Sequence, residues 1–139
     1  WLAVDDATTE NGCMRVIPGT QGMELEKMSP NSDRPNVLNS GMDGSLVDES
    51  KAVDIVLEAG DVSVHHPNVI HGSNANMSGM RRAGLTIRYI PTSTRITRTP
   101  WPSAFLLRGE PVEGTNDYLP RPTYVEGECM PFDGCENWR

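Results

Sequence analysis

At 139 residues the chain is long enough for one domain with a core, and a chain of this size buries somewhat under ~70% of its unfolded surface. Its formal net charge of −7 argues against nucleic acid and anionic membrane as partners, because both require a basic footprint. The three cysteines, Cys13, Cys129 and Cys135, form no Cys-x-x-Cys pair, which excludes a zinc site of that type and reads as free thiols in a reducing compartment; a Cys129–Cys135 bridge is the alternative.

In chain order, Trp1 to Val4 is a short apolar strand, and Asp5 to Gly12 is a polar loop with an Asn-Gly turn signal. Met14 to Ile17 is the next strand, stopped by Pro18-Gly19. From Thr20 to Ser50 the chain is rich in Pro, Asn, Ser, Asp and Gly without a lasting period. It reads as a long excursion with at most a helical turn near Met23 to Met28, of the kind that serves as a lid or selects substrate. Val53, Ile55 and Leu57 alternate as a strand, Glu58 to Asp61 turn, and Val62 to His66 is expected to return as the partner strand. Seven of the eleven prolines lie at or beyond Pro91, which rules out long helices there and leaves a winding tail with one strand or short helix at Ala104 to Leu107. No internal repeat, signal peptide, transmembrane run or lipidation motif is visible, and a cytoplasmic location is the expectation.

The stretch that carries chemistry is Gly60 to Tyr89, read as strand, short loop, strand. Val62 and Val64 alternate with polar neighbours, Pro67 and the Gly72 to Gly79 region break the ladder, and Leu85, Ile87 and Tyr89 alternate again. His71 stands at the start of the loop, Ser73 two residues on, and Arg82 eleven residues on. An imidazole and a guanidinium on neighbouring antiparallel strands can face one cavity, the first as a metal ligand and the second as a fork for a carboxylate. That pattern suits a metal plus an organic acid.

The run His71-Gly72-Ser73, with Asn76, Ser78 and Arg82, resembles the distal half of the active site in the phytanoyl-CoA dioxygenase family of Fe(II)- and 2-oxoglutarate-dependent oxygenases. A second block supports it: Trp1 to Asp6, then Glu10-Asn11-Gly12-Cys13, then Val16-Ile17-Pro18-Gly19-Thr20-Gln21, with Gln21 in place of the usual His. The resemblance covers residues 1 to about 90, and beyond them only Phe105 to Gly109 matches loosely. It implies a mainly β fold, the double-stranded β-helix or jelly roll of cupin type, which agrees with the string of short strands and turn signals. It implies His71 as an iron ligand, Arg82 as the bidentate partner of the far carboxylate of 2-oxoglutarate, Ser73 as a hydroxyl donor to that carboxylate, and Trp1 as a wall of the cosubstrate pocket.

The family's iron also needs a His-x-Asp pair just upstream of the position matching Trp1. His65, His66 and His71 are the only histidines, and none is followed two residues later by Asp. The chain is therefore expected to be the C-terminal part of a dioxygenase jelly roll, residues 1–90 giving core strands and 91–139 a Pro-rich tail. It would be incomplete at its N-terminus, with unpaired sheet edges, and not competent alone. Each residue has a plainer reading as well. A His at a strand end is commonly bonded to backbone; His66 shares the parity of Val62 and Val64 and is expected to pack inward, leaving His65 exposed. Arg82 could be a solvated strand-end charge, with Arg81 beside it and Arg88 as the second choice for the anchor; Ser73 could cap backbone groups and Trp1 could be core. Asn11-Gly12, Gly60-Asp61 and Pro18-Gly19 read as turn chemistry.

The implied activity is a hydroxylase acting on a small organic substrate with O2, oxidatively decarboxylating 2-oxoglutarate, with Fe(II) as the metal. Only Lys27 and Arg34 lie between Thr20 and Ser50, so no basic cluster is offered to a CoA phosphate, which favours a small metabolite over an acyl-CoA. The alternative is a non-catalytic β-sandwich binding or structural module of the same fold, since fold alone does not carry activity. A cupin-like sugar isomerase fits the strands but leaves the Asn76 to Arg82 spacing unexplained.

Overall fold

A computed structural model describes residues 1–24, 29–30, 40–97, 104–121 and 125–126. It divides into two compact units, Trp1–Ile87 and Arg88–Arg139. The described secondary structure is short strands and 3-10 turns, so the protein is mainly β.

In the first unit, β1 (Leu2–Ala3), β2 (Met14–Val16), β3 (Ser29–Pro30), β4 (Ser40–Gly41), β5 (Val53–Ile55), β6 (His71–Ser73) and β7 (Gly84–Leu85) form three sheets. One is three-stranded and antiparallel, ordered β5-β2-β6. In another, β1 pairs with β7 on one side and reaches Val62 through an isolated bridge at Leu2 on the other. The β3–β4 pair forms the third. Buried apolar side chains come from β1, β2 and the segments beside them: Ala3, Ala7, Cys13, Met14, Ile17 and Val69.

Register decides which side chains share a face, because directly opposed residues of an antiparallel pair point the same way. Met14 opposes Ile55 and Ser73, and Val16 opposes Val53 and His71. His71 and Ser73 therefore share the side of that sheet on which Met14 is buried, and are themselves exposed at its edge. Arg15, Asp54 and Gly72 take the other side, where the Arg15 Nε to Asp54 Oδ1 pair closes at 2.8 Å.

Several expectations change. The excursion from Thr20 to Ser50 carries local structure: 3-10 turns at Thr20–Gly22, Gly44–Leu46 and Glu49–Lys51, and the β3–β4 pair. Asp43 and Asp48 cap the latter two turns by accepting from the amides of Ser45 and Ser50, which is how Asp-rich sequence without hydrophobic period still orders locally. Of the expected helical turn near Met23 to Met28, residues 25–28 lie outside the described ones.

The expected hairpin of Val53–Leu57 with Val62–His66 does not form. The turn between them is captured by β1 instead: Gly60 N donates to Ala3 O at 2.8 Å and Ala3 N to Asp61 O at 2.9 Å, with Gly60 at φ 99°. The chain thereby passes from the sheet of β2 to that of β1. Leu57 bridges Ala7 and Val62 bridges Leu2. His71 to Ser73, expected at a loop, is a strand because β2 offers it an edge, and Leu85 ends β7 short of Ile87 and Tyr89.

In the second unit the segment expected as a strand or short helix at Ala104 to Leu107 forms a strand, β8 (Ala104–Phe105), paired in parallel with β9 (Tyr118–Leu119), which the sequence pattern did not signal. Asn116 ties the unit by accepting from Ile96 N at 2.8 Å and donating to Thr94 O at 2.7 Å. The Arg121 guanidinium donates to the Leu106 and Leu107 carbonyls.

Candidate active site

His71 opens β6. Its Nδ1 lies 2.8 Å from the Val69 carbonyl oxygen. A carbonyl only accepts, so Nδ1 carries the proton and the lone pair of Nε2 is left for another partner; this is how metal-binding imidazoles are commonly oriented. Ser73 stands two residues on, on the same side of the strand. The segment entering β6 is held by Thr20, whose hydroxyl donates to Ile17 O at 2.8 Å and accepts from Ile70 N at 2.9 Å. The Pro18-Gly19 turn, with Gly19 at φ 84°, delivers that threonine. Thr20, which the sequence marks only as the end of the Pro18-Gly19-Thr20 block and the start of the excursion, is thereby a positioning residue for His71.

The other wall is built on β1. Trp1 N donates to Ser63 O at 2.7 Å and Ser63 N donates back to Trp1 O at 2.9 Å, so Trp1 and Ser63 share a face. Ala3, on that face, is 1% exposed, and the opposite face carries Val62 and, with it, Val64 at 93% exposed. The alternation therefore runs in the opposite sense to the expectation: Ser63 and His65 face inward and His66 faces solvent. His65 is half-buried, its ring 5.4 Å from that of His71 and its Nδ1 3.5 Å from the Ser63 hydroxyl. Burial, then the neighbouring His71 and the chain's amino group, push its pKa below the ordinary imidazole value.

Arg82 extends its guanidinium over the Trp1 ring, 5.8 Å from the centroid, within the range of a cation–π contact. Contacts thus run continuously from His71 through His65, Ser63 and Trp1 to Arg82. The neighbouring Arg81 is committed elsewhere: its Nε and Nη2 donate to the two carboxylate oxygens of Asp5 at 2.8 and 2.7 Å. Those bonds, together with the Ala83 amide, hold the Asp5 carboxyl below its ordinary pKa. Among the described residues no carboxylate pairs with Arg82. Arg88 belongs to the second unit.

The loops at this end are braced by Asn11 and Gly12. Asn11, 2% exposed, accepts from Thr8 N at 2.8 Å and donates to Asp6 O at 2.8 Å and Arg81 O at 3.5 Å. Gly12, at φ 76°, runs so close to the chain that a Cβ there would lie 2.5 Å from Asn74 O. Asn76 and Ser78 fold the next loop on itself through Asn76 Oδ1, with Asn76 Nδ2 donating to Met80 O. Cys13 is a buried free thiol; burial raises its pKa, with Asp54 adding and Arg82 and Arg15 opposing. Cys129 and Cys135 lie outside the described residues.

The site brings together two imidazoles, His71 with an open Nε2 and His65 beside it. Among the described residues no group of three or more His, Cys, Asp or Glu could hold a metal ion. A family model described as Phytanoyl-CoA dioxygenase (PhyH) matches residues 1–84, more than half of the chain. The chain belongs to this family.

Phytanoyl-CoA dioxygenase 1 of Oryza sativa subsp. japonica is 31% identical over 98 residues, 66% of this chain and 32% of that protein. L-proline trans-4-hydroxylase of Streptomyces griseoviridis is 32% identical over 113 residues, 71% of this chain and 41% of that protein. The human protein named phytanoyl-CoA dioxygenase, peroxisomal, is 35% identical over 91 residues, 60% of this chain and 25% of that protein. The chain thus spans well under half the length of these curated relatives. No solved structure matches it. Trp1, His71, Ser73, Arg82 and Gly84 all fall inside the span matched by the phytanoyl-CoA dioxygenase model. Relatives named as peroxisomal, from Bos taurus and Homo sapiens, stand beside the expectation of a cytoplasmic location. No helix among the described residues is long and apolar enough to cross a membrane.

Proposed function

We propose that the chain supplies one ligand and the cosubstrate anchor of an Fe(II)- and 2-oxoglutarate-dependent dioxygenase, a hydroxylase of a small organic substrate, built on a double-stranded β-helix. The observation that carries this is His71: its proton is tied to the Val69 carbonyl, its Nε2 is open, and it shares one side of β6 with Ser73. In this reading Nε2 would hold the metal, Arg82 would bind the far carboxylate of the keto acid, where its planar fork suits a carboxylate, Ser73 would donate its hydroxyl to the same group, and Trp1 would wall the pocket. Activation of O2 would belong to the iron and keto acid together; these side chains bind and orient. The described residues do not complete a three-ligand site, so the remaining ligands are assigned outside them and the chain alone is read as inactive. That same shortfall favours the second reading, a non-catalytic β-sandwich module.

The test is an anaerobic titration with Fe(II) and 2-oxoglutarate, following the visible charge-transfer band of the chelate, on this chain and on the natural gene product that contains it. The band is expected in the gene product, absent from His71→Ala, and displaced to about ten- to a hundredfold higher 2-oxoglutarate concentration in Arg82→Lys, which loses the bidentate fork but keeps the charge. No band in either protein would discard the oxygenase reading and leave the binding module.

A further inference from the structure

Gly84 lies on β7, paired in register with Ala3, on the face that carries Trp1. A Cβ built at Gly84 would fall 1.9 Å from Trp1 Cζ2, 2.2 Å from Cε2 and 2.7 Å from Cη2. The indole therefore lies directly against the Gly84 backbone, where no side chain fits. Gly84 has no positive φ, so its role is close approach and not backbone freedom. Above the same ring sits the Arg82 guanidinium, half-buried and with no carboxylate partner among the described residues. A guanidinium fixed by an acidic partner would have spent its fork; one fixed by stacking keeps both N–H edges and its full charge for an anion.

Resting on the reading of Arg82 as carboxylate anchor, we infer that Gly84 and Trp1 form a platform that positions this guanidinium, and that the glycine acts on cosubstrate affinity only through the indole. Gly84 is a positioning residue, since it touches neither cosubstrate nor metal. Any side chain at position 84 lifts the indole off the sheet, and Arg82 loses the surface that orients it.

The test is a double-mutant cycle on the natural gene product containing this chain: Gly84→Ala, Trp1→Ala and the pair, with folding checked by circular dichroism. Each is titrated calorimetrically with 2-oxoglutarate, without metal and again with Fe(II) under anaerobic conditions. Gly84→Ala is expected to weaken binding about tenfold, the scale of a lost partly desolvated cation–π contact, and Trp1→Ala by a similar factor. Adding Gly84→Ala to Trp1→Ala is expected to cost nothing more. If Gly84→Ala alone does not fold, the pair compared with Trp1→Ala still decides, because without the indole the new methyl has room. Unchanged affinity in Gly84→Ala, or an equal penalty with and without the indole, would overturn the platform. Gly84-dependent binding of 2-oxoglutarate in a protein that forms no iron chelate would keep the platform and discard the oxygenase reading. A chelate indifferent to Gly84→Ala would do the reverse, and no binding under either condition would overturn both.

Discussion

Asn11→Ala tests whether the Asn-Gly turn is structural, and its cost follows from the bonds. Asn11 is 2% exposed and makes two bonds of 2.8 Å, one from Thr8 N and one to Asp6 O, with a longer one to Arg81 O at 3.5 Å. Each good bond contributes about 1 kcal/mol net, and each buried backbone group stranded by the truncation costs about 1 kcal/mol or more, giving a loss of roughly 2–4 kcal/mol. Set against a typical domain stability of ~5–15 kcal/mol, that is a large fraction. Urea unfolding followed by circular dichroism should show it as a midpoint about 1–2 M lower with an unchanged slope. Asn11→Asp keeps the acceptor for Thr8 N but turns the donor to Asp6 O into a carboxylate facing a carbonyl. Burial would raise that carboxyl's pKa in the folded state above its unfolded value, so the variant should be least destabilised in acid and lose stability as pH rises through the folded pKa. A loss under about 0.5 kcal/mol in Asn11→Ala, or an Asn11→Asp variant as stable as the parent at neutral pH, would refute the role given to this side chain.

Gly12→Ala combines φ 76° with a Cβ 2.5 Å from Asn74 O, whereas Gly60→Ala has φ 99° and nothing within 4 Å. Thermal unfolding should show the first costing about 2 kcal/mol or more and the second only the ~1–2 kcal/mol of left-handed strain. Asp5 has a folded pKa depressed below its ordinary 3.8, so its contribution is complete above that value and is lost as pH falls through the folded pKa. Asp5→Asn should therefore lower the melting temperature at neutral pH and flatten the acid limb of its pH profile; an unchanged limb would remove Asp5 from acid unfolding. The Cys13 thiol, buried and raised in pKa, should resist iodoacetamide at pH 8 until denaturant is added, as read by peptide mass mapping. Rapid labelling in the folded protein would contradict its burial.

What local sequence determined about this protein was element identity and one spacing. A short apolar run marks β1, a run stopped by Pro18-Gly19 marks β2 and period-two alternation marks β5, because apolar runs, a strand's two faces and its termination are local properties. The eleven residues from His71 to Arg82 marked a candidate imidazole and guanidinium. Tertiary structure decided the rest. Alternation states that a strand has two faces and not which is inward, so Val62 and Val64 pointed to the wrong side and His65 was missed. Partner choice is a long-range matter: β1 captures the turn at Gly60 and sends the following segment to another sheet. Two adjacent arginines are equivalent on paper. Asp5, 76 residues from Arg81, engages one of them, and an indole resting on a bare glycine holds the other.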